Sequence, residues 1–116
     1  MGVTGIGGFF FRARDPEALA AWYREHLGVG GGEWGLWEQQ AGLMVFSPVG
    51  TGDEDIAPDR QWRINFRVDG LDALKAALEA SGIEVVTKPE WDAPGVGRFA
   101  RLHDPEGNAI ELWEPD

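Results

Sequence analysis

The chain repeats itself, and the repeat constrains the fold more than any other feature of the sequence. Phe11-Arg12-Ala13 matches Phe66-Arg67-Val68 at an offset of 55 residues. The closing segments align as well, because residues 43–48 (LMVFSP) run against residues 110–115 (IELWEP). A repeat that spans most of a chain indicates one structural unit present twice. We therefore expect two similar halves.

The first half predicts a strand, a helix and further short strands. A strand is expected over Gly5–Arg12, and Asp15 followed by Pro16 is typical of a helix start, as N-cap and first helical residue. Apolar residues at helical spacing continue to Leu27, and the next residue, a glycine, predicts the helix end. Two short strands are expected after it, over Trp34–Gln39 and Leu43–Ser47.

The second half repeats this order more clearly. A strand is expected over Gln61–Val68, a helix over Leu71–Ala80 and a short strand over Glu84–Thr87. The stretch Phe99–Pro115 then predicts a hairpin, because Asp104-Pro105-Glu106-Gly107-Asn108 has the residues of a tight turn.

These elements predict one α+β domain built from two βαβββ modules that form a curved mixed sheet around a cavity. Module one covers about 1–50, an acidic linker about 49–60, and module two about 61–116. The linker has no periodicity, so we expect it to be mobile and its acids Asp53, Glu54 and Asp55 to be solvated. Each helix would pack on one face of the sheet, and the other face would enclose the cavity.

The segments 14–29 (RDPEALAAWYREHLGV), 66–74 (FRVDGLDAL) and 104–115 (DPEGNAIELWEP) resemble the vicinal-oxygen-chelate superfamily. That superfamily includes glyoxalase I, extradiol dioxygenases, fosfomycin-resistance enzymes and bleomycin-resistance proteins. The resemblance covers nearly the whole chain. It implies paired modules with a site inside the sheet, and it implies a homodimer.

Metal-dependent members take their ligands from the first and last strand of each module. By this resemblance the four ligand positions fall at Gly8, Met44, Arg63 and Glu111. Glycine offers no side chain, methionine is a poor ligand for hard cations, and arginine is a fixed cation. Only Glu111 could bind a divalent ion, so we expect no metal and no cofactor.

The remaining chemistry-bearing residues give no stronger motif. His26 falls in the last turn of the first helix, and His103 falls just before the hairpin turn, so both are expected to be structural or surface residues. The glycines at 28 and 30–32 follow a helix, whereas a phosphate loop joins a strand to a helix.

Strand alternation assigns the side chains that would face the cavity. Ile64, Phe66, Ile110 and Leu112 go to the helix side, which leaves their neighbours for the opposite face. Mostly apolar walls with a few convergent polar groups are typical of a small-molecule site. The predicted ligand-binding residues are Phe10, Met44, Phe46, Arg63, Asn65, Phe99, Arg101 and Trp113, together with Glu111 as the candidate catalytic residue. Arg67 would be a solvated charge at a strand end.

Two interpretations of Glu111 stay open. In the structural interpretation, Arg63 or Arg101 neutralises Glu111 with a guanidinium where the metal would lie, and Arg63 is the first partner we expect. Alternatively an arginine binds an anionic or carbonyl-bearing ligand while Glu111 acts as a base. The leading hypothesis is a metal-independent small-molecule-binding protein of the glyoxalase/bleomycin-resistance type. A lyase or isomerase that uses Glu111 as base or metal ligand is the alternative, and a structural module with a filled cavity is the third possibility.

Charge and composition limit the partners. The formal net charge is −10, from 20 acids and 10 Lys and Arg, which argues against nucleic acid or an anionic membrane as partner. There is no cysteine, so disulfides and thiolate chemistry are excluded. No signal peptide or apolar stretch long enough to span a membrane is evident, and we expect a cytoplasmic protein.

Overall fold

The structure, a computed structural model, describes all residues from 1 to 116 and places every strand in the second half of the chain. Two helices and three strands are formed: α1 (Pro16–Leu27), β1 (Ile64–Arg67), α2 (Leu71–Ala80), β2 (Gly97–His103) and β3 (Ala109–Pro115). Single turns of 3-10 helix occur at Glu33–Gly35 and Pro89–Trp91. No helix has the length and apolar character needed to cross a membrane.

The three strands form one open mixed sheet in the order β1-β3-β2. The central strand β3 runs antiparallel to β2 and parallel to β1. The tight turn permits the first pairing, whereas the second needs a crossover, which α2 supplies. The predicted strand over Glu84–Thr87 is reduced to a single bridge, in which Val86 and Arg101 exchange two backbone hydrogen bonds of 2.8 Å. The predicted α+β fold class is confirmed.

The first helix begins and ends where the sequence predicts. The Asp15 side chain accepts a hydrogen bond of 3.1 Å from the Ala18 N–H, and Gly28 ends the helix in the left-handed region at φ 66°. Glu106, in the hairpin turn, also accepts hydrogen bonds from the N–H groups of Arg14 and Asp15, at 2.6 and 3.1 Å. The start of α1 is thereby attached to the second half of the chain.

The second helix has no cap from its own sequence. Gly70 precedes it in the left-handed region and offers no side chain, so the Glu114 carboxylate accepts the Leu71 N–H at 2.8 Å. Arg98 donates to the same carboxylate at 2.7 Å and to Asp72 at 2.9 Å. A carboxylate at a helix N-terminus also suits the helix dipole. Strand β3 thus fixes where α2 begins.

Both helices pack on the same face of the sheet. Leu78 of α2 and Ile110 and Leu112 of β3 are each only 1% exposed. Burying a leucine or isoleucine side chain stabilises a fold by roughly 1.5–3 kcal/mol. The buried apolar core consists of Leu19, Tyr23, Leu71, Leu78, Val85, Ala100, Leu102, Ile110 and Leu112. The alternation that sent Ile110 and Leu112 to the helix side is confirmed.

The turn between β2 and β3 is built around the Asp104 carboxylate, which is only 4% exposed. One oxygen accepts the backbone N–H groups of Glu106 and Asn108, and the other accepts the Asn108 amide at 2.8 Å and the Tyr23 hydroxyl at 2.7 Å. Burial, together with the hydrogen bond to this carboxylate, raises the pKa of Tyr23 well above its usual value. This network joins α1 to the hairpin.

The first half differs most from expectation. The strands predicted over Gly5–Arg12, Trp34–Gln39 and Leu43–Ser47 are not formed. A strand exists only when its backbone groups find a paired edge, and none of these segments has one. Apolar side chains there stay exposed, among them Leu43 at 87% and Phe46 at 84%. The two-module arrangement and its boundaries stay predictions.

Candidate functional site

The candidate site is one row of side chains across the sheet, on the face opposite the helices. In the strand register, Asn65 of β1 lies beside Glu111 of β3, which lies beside Arg101 of β2. Because successive side chains in a strand point to opposite faces, the buried Ile110 and Leu112 leave Glu111 on the other side of the sheet. Local strand pairing therefore brings an amide, a carboxylate and a guanidinium together.

Glu111 is the centre of this row. Its Oε1 accepts a hydrogen bond of 2.9 Å from the Asn65 amide. Its Oε2 accepts from the Arg101 Nε at 3.1 Å and from the Arg63 Nη1 at 3.3 Å. The Glu111 side chain is 10% exposed, so a charge there needs this compensation.

Both ion pairs considered from the sequence are therefore present. Arg63 and Arg101 flank the carboxylate, and their side chains are 25% and 26% exposed. Two guanidinium groups beside one carboxylate leave an excess of positive charge, and a second carboxylate, that of Asp55, reduces it.

Asp55 supplies that second negative charge from the acidic loop. Its Oδ1 accepts a hydrogen bond of 3.0 Å from the Arg101 Nη1. The hydrogen bond from Arg101 lowers the pKa of Asp55 below its usual range. Burial lowers the pKa of Arg101, but its bonds to Asp55 and Glu111 outweigh burial and raise it. The prediction that all three loop acids are merely solvated is wrong for Asp55.

The Arg101 guanidinium also lies over the indole ring of Trp91, 4.3 Å from its centroid. The Lys88 ammonium lies 5.4 Å from the same centroid. Such cation–π contacts are worth about 0.5–1 kcal/mol at exposed sites. The 3-10 turn Pro89–Trp91 thus helps to orient Arg101 and brings a second cation nearby.

The next row of the same face contains Phe99 and Trp113. These residues are cross-strand neighbours, and their rings stack at 6.2 Å with an angle of 5° between their planes. The Trp113 indole N–H donates to the Val96 carbonyl at 2.9 Å. Arg67 lies beside Trp113 in the register and donates to the Gln40 carbonyl at 3.0 Å. Arg67 therefore ties the first half to the sheet edge, and is not the free strand-end charge that the sequence predicted.

The structure does not bring all nine predicted site residues together. Arg63, Asn65, Arg101 and Glu111 form one hydrogen-bonded cluster, and Phe99 and Trp113 lie on the neighbouring row. The other three, Phe10, Met44 and Phe46, are 93%, 64% and 84% exposed and belong to segments without strand pairing. Phe10 lines a shallow groove of about 370 Å³ beside Trp62 instead.

A larger groove of about 510 Å³ lies along the outer edge of β2 and adjoins the row at Arg101. This volume falls within the range of about 300–1,000 Å³ typical of ligand sites. Apolar wall is supplied by Trp22, Val86 and Trp91, and cations by Lys88 and Arg101. The sequence predicted a pocket beside Arg63 and Glu111. Neither residue lines this groove, which reaches the row only at Arg101.

The residues present do not fit a divalent metal ion. No group of three or more histidines, cysteines or acids lies close enough to share one. The one carboxylate at an expected ligand position, Glu111, lies between two arginines that would repel a cation. His26 lies beside Trp22, and His103 is exposed at the end of β2, so neither reaches the cluster.

Comparison with known proteins identifies the family. A family model described as a glyoxalase-like domain matches residues 8–113, which is most of the chain. The chain belongs to the glyoxalase-like domain family. This membership confirms the resemblance to the vicinal-oxygen-chelate superfamily.

The glyoxalase-like chain is also similar to individual proteins. It is 36% identical over 109 residues to the anthracycline biosynthesis protein DnrV of Streptomyces peucetius, and 33% identical over 109 residues to DauV of Streptomyces sp. (strain C5), also an anthracycline biosynthesis protein. Both alignments cover 94% of this chain and 34% of the relative, so the chain spans about a third of their length.

The crystal structure of TnmS3, an antibiotic binding protein from Streptomyces sp. CB03234, superposes with a TM-score of 0.64. The superposition covers 100% of this chain and 99% of that one, at 23% identity. At this level of identity the likeness establishes the shared fold.

The sequence of this glyoxalase-like chain does not predict two of the residues that contact Arg101. Asp55 lies in an aperiodic acidic loop, and nothing in the local sequence says that such a loop folds back over a sheet. Trp91 follows Val86, the bridge partner of Arg101, by five residues, and the local sequence does not show that its ring lies against Arg101.

Proposed function

We propose that this chain is a metal-independent small-molecule-binding protein whose ligand binds at Arg101, between the Glu111 row and the adjoining groove. The observation that carries the proposal is the convergence of Asn65, Arg63, Arg101 and Glu111 on one sheet face beside a groove of about 510 Å³. A few polar groups that orient a ligand beside an apolar wall are characteristic of such sites.

The relatives support the same class of function. TnmS3 is an antibiotic binding protein, and DnrV and DauV are anthracycline biosynthesis proteins. All three proteins are thus connected with antibiotics or anthracyclines, which are organic molecules. We infer that the ligand of this chain belongs to that general class.

Metal independence is supported by the chemistry of the cluster. The Glu111 Oε2 already accepts two guanidinium N–H groups, and a metal ion at that oxygen would have to displace both arginines. The displaced guanidinium charges would then repel the ion that replaced them.

A lyase or isomerase that uses Glu111 as base is the second candidate. Glu111 Oε1 accepts one hydrogen bond, from Asn65, and keeps one lone pair for a substrate proton. The other oxygen, Oε2, already accepts from Arg63 and Arg101, so Oε1 is the one atom of Glu111 that could receive the proton. The two functions are separated by incubating the wild type with a bound ligand, because a lyase or isomerase would convert that ligand and a binding protein would release it unchanged.

Binding is tested with a panel of aromatic antibiotics that includes an anthracycline, followed by proton–nitrogen correlation spectra of the labelled protein. We expect shifts at the side chains of Asn65, Arg101 and Trp91, and at least tenfold weaker binding by Arg101→Gln. The matched control is Arg98→Gln, since Arg98 lies on the same strand but pairs with Glu114 and Asp72. Equal weakening by both variants would contradict the assignment of the site.

We also propose that the protein forms a homodimer through the exposed apolar residues of the first half. Four successive residues, Leu43, Met44, Val45 and Phe46, are 87%, 64%, 73% and 84% exposed. Contiguous apolar surface of this kind marks an interaction site. Light scattering should give twice the chain mass for the wild type and the chain mass for Leu43→Glu. A wild type that is monomeric at micromolar concentration would contradict the dimer.

A further inference from the structure

Arg101 lies between the Glu111 row and the groove, and part of its hydrogen-bonding capacity is free. Its Nε donates to Glu111 and its Nη1 to Asp55, whereas its Nη2 donates to no acceptor in the protein. A guanidinium carries five N–H donors in a rigid fork that matches a carboxylate. The fork formed by Nη1 and Nη2 is therefore half occupied, and Asp55 is its occupant.

The chemistry of the groove favours an anion with an apolar body. Lys88 and Arg101 place two cations beside the Trp91 indole, and Trp22 and Val86 extend the apolar wall. Of the two acids at the groove, Asp104 is buried and saturated by four hydrogen bonds, which leaves Glu84 as the opposing charge. Lys88 is thus a cation without an ion pair at the groove, and the charge of Arg101 is shared with Glu111 and the exposed Asp55.

Asp55 is the more exposed of the two acids that pair with Arg101. Its side chain is 52% exposed and comes from a loop without helix or strand. Ion pairs at this exposure contribute little to stability, so a competing anion loses little by replacing the aspartate. Glu111, by contrast, is 10% exposed and holds the other side of the same guanidinium in place.

We propose that the site recognises a planar apolar molecule with an anionic group, and that Asp55 occupies the place of that anion on Arg101 until the ligand displaces it. This inference rests on the proposed function and goes beyond it, because it names the charge of the ligand and a residue that competes with it. Asp55 then lowers the affinity of the site for anions, because it competes with them for Arg101, and it does not contact the apolar part of the ligand.

The test uses 2-naphthoate and its neutral analogue 2-naphthylmethanol as probes, titrated into the labelled full chain and followed at the Trp91 indole N–H. In Asp55→Asn we expect 2-naphthoate to bind about two- to fivefold more tightly, the range that corresponds to one partly exposed ion pair. Glu54→Gln removes the same charge from the same loop without touching Arg101, and should change the affinity less than half as much. Neither variant should change the binding of 2-naphthylmethanol.

The outcomes separate the two proposals. If Asp55→Asn and Glu54→Gln strengthen naphthoate binding equally, loop charge alone acts and the role of Asp55 is refuted, while the binding site stands. If the neutral probe gains as much as the anion, Asp55 is a steric cover and the anion preference is refuted. If neither probe shifts the Trp91 signal in any variant, the proposed function at this site fails together with the inference.

Discussion

Replacing Glu111 by glutamine is the sharpest test of how the cluster is held together. Glutamine keeps the shape of the side chain and an oxygen that can accept from the Asn65 amide, now 2.9 Å away. It removes the negative charge between Arg63 and Arg101. The variant therefore isolates the charge from the packing.

The magnitude follows from burial. Removing one partner of a fully buried ion pair costs about 3–5 kcal/mol, whereas exposed pairs contribute about 0–1 kcal/mol. Glu111 is 10% exposed, but the two arginines are 25% and 26% exposed. Water can therefore replace part of the electrostatic stabilisation that the arginines lose with the charge of Glu111. We expect the free energy of unfolding to fall by about 1–3 kcal/mol.

The assay is urea unfolding of the wild type, of Glu111→Gln, of Arg101→Gln and of the double variant. The coupling energy between the two sites should exceed about 0.5 kcal/mol, because the residues are in contact. Glu84→Gln is the control, since Glu84 is exposed and makes no ion pair, and its effect should stay within about 0.5 kcal/mol. A Glu111→Gln variant as stable as the wild type, or a coupling energy of zero, would refute the electrostatic account of the cluster.

Two predictions concern the Asp104 network. Tyr23→Phe leaves the buried Asp104 carboxylate without one donor, so the free energy of unfolding should fall by about 1.5–3 kcal/mol in urea titrations, and no change would contradict the network. Tyr23 is the single tyrosine, and its pKa is raised above the unfolded value of 10.0, so stability should be complete below about pH 10 and decline as pH rises further. Absorbance titration of the folded protein should show no phenolate near pH 10, and an ordinary titration there would contradict the buried hydrogen bond.

The sequence predicted the first helix and the second half well because their signals are local and agree with one another. The boundaries of α2 are those predicted, and the hairpin turn, the alternation around Glu111 and the N-cap Asp15 all depend on residues within a few positions of each other. From that alternation alone, Arg63, Asn65 and Arg101 could be placed on the face of Glu111.

The rest of the first half and the outer contacts of the site could not be predicted in the same way. A short apolar run such as Leu43–Ser47 becomes a strand only if a partner edge is available, and the segment itself does not contain that information. Likewise, the contact between Asp55 and Arg101 joins residues 46 positions apart through an irregular loop. Such long-range contacts depend on the packed fold, and no periodic pattern in the sequence indicates them.

The attachments of α1 have a consequence for the order in which the protein folds. Its hydrogen bonds to the hairpin turn join residues 81 to 92 positions apart, through Tyr23 with Asp104 and through Glu106 with the start of the helix. Closing so long a loop is slow, whereas the hairpin and the β1–α2–β3 crossover can form early from nearer partners. α1 should therefore gain protection from hydrogen exchange after the sheet does. A chain cut near residue 50 would keep a sheet whose apolar face lacks half of its helical cover, so the midpoint of the repeat is not a boundary at which the two halves can be separated.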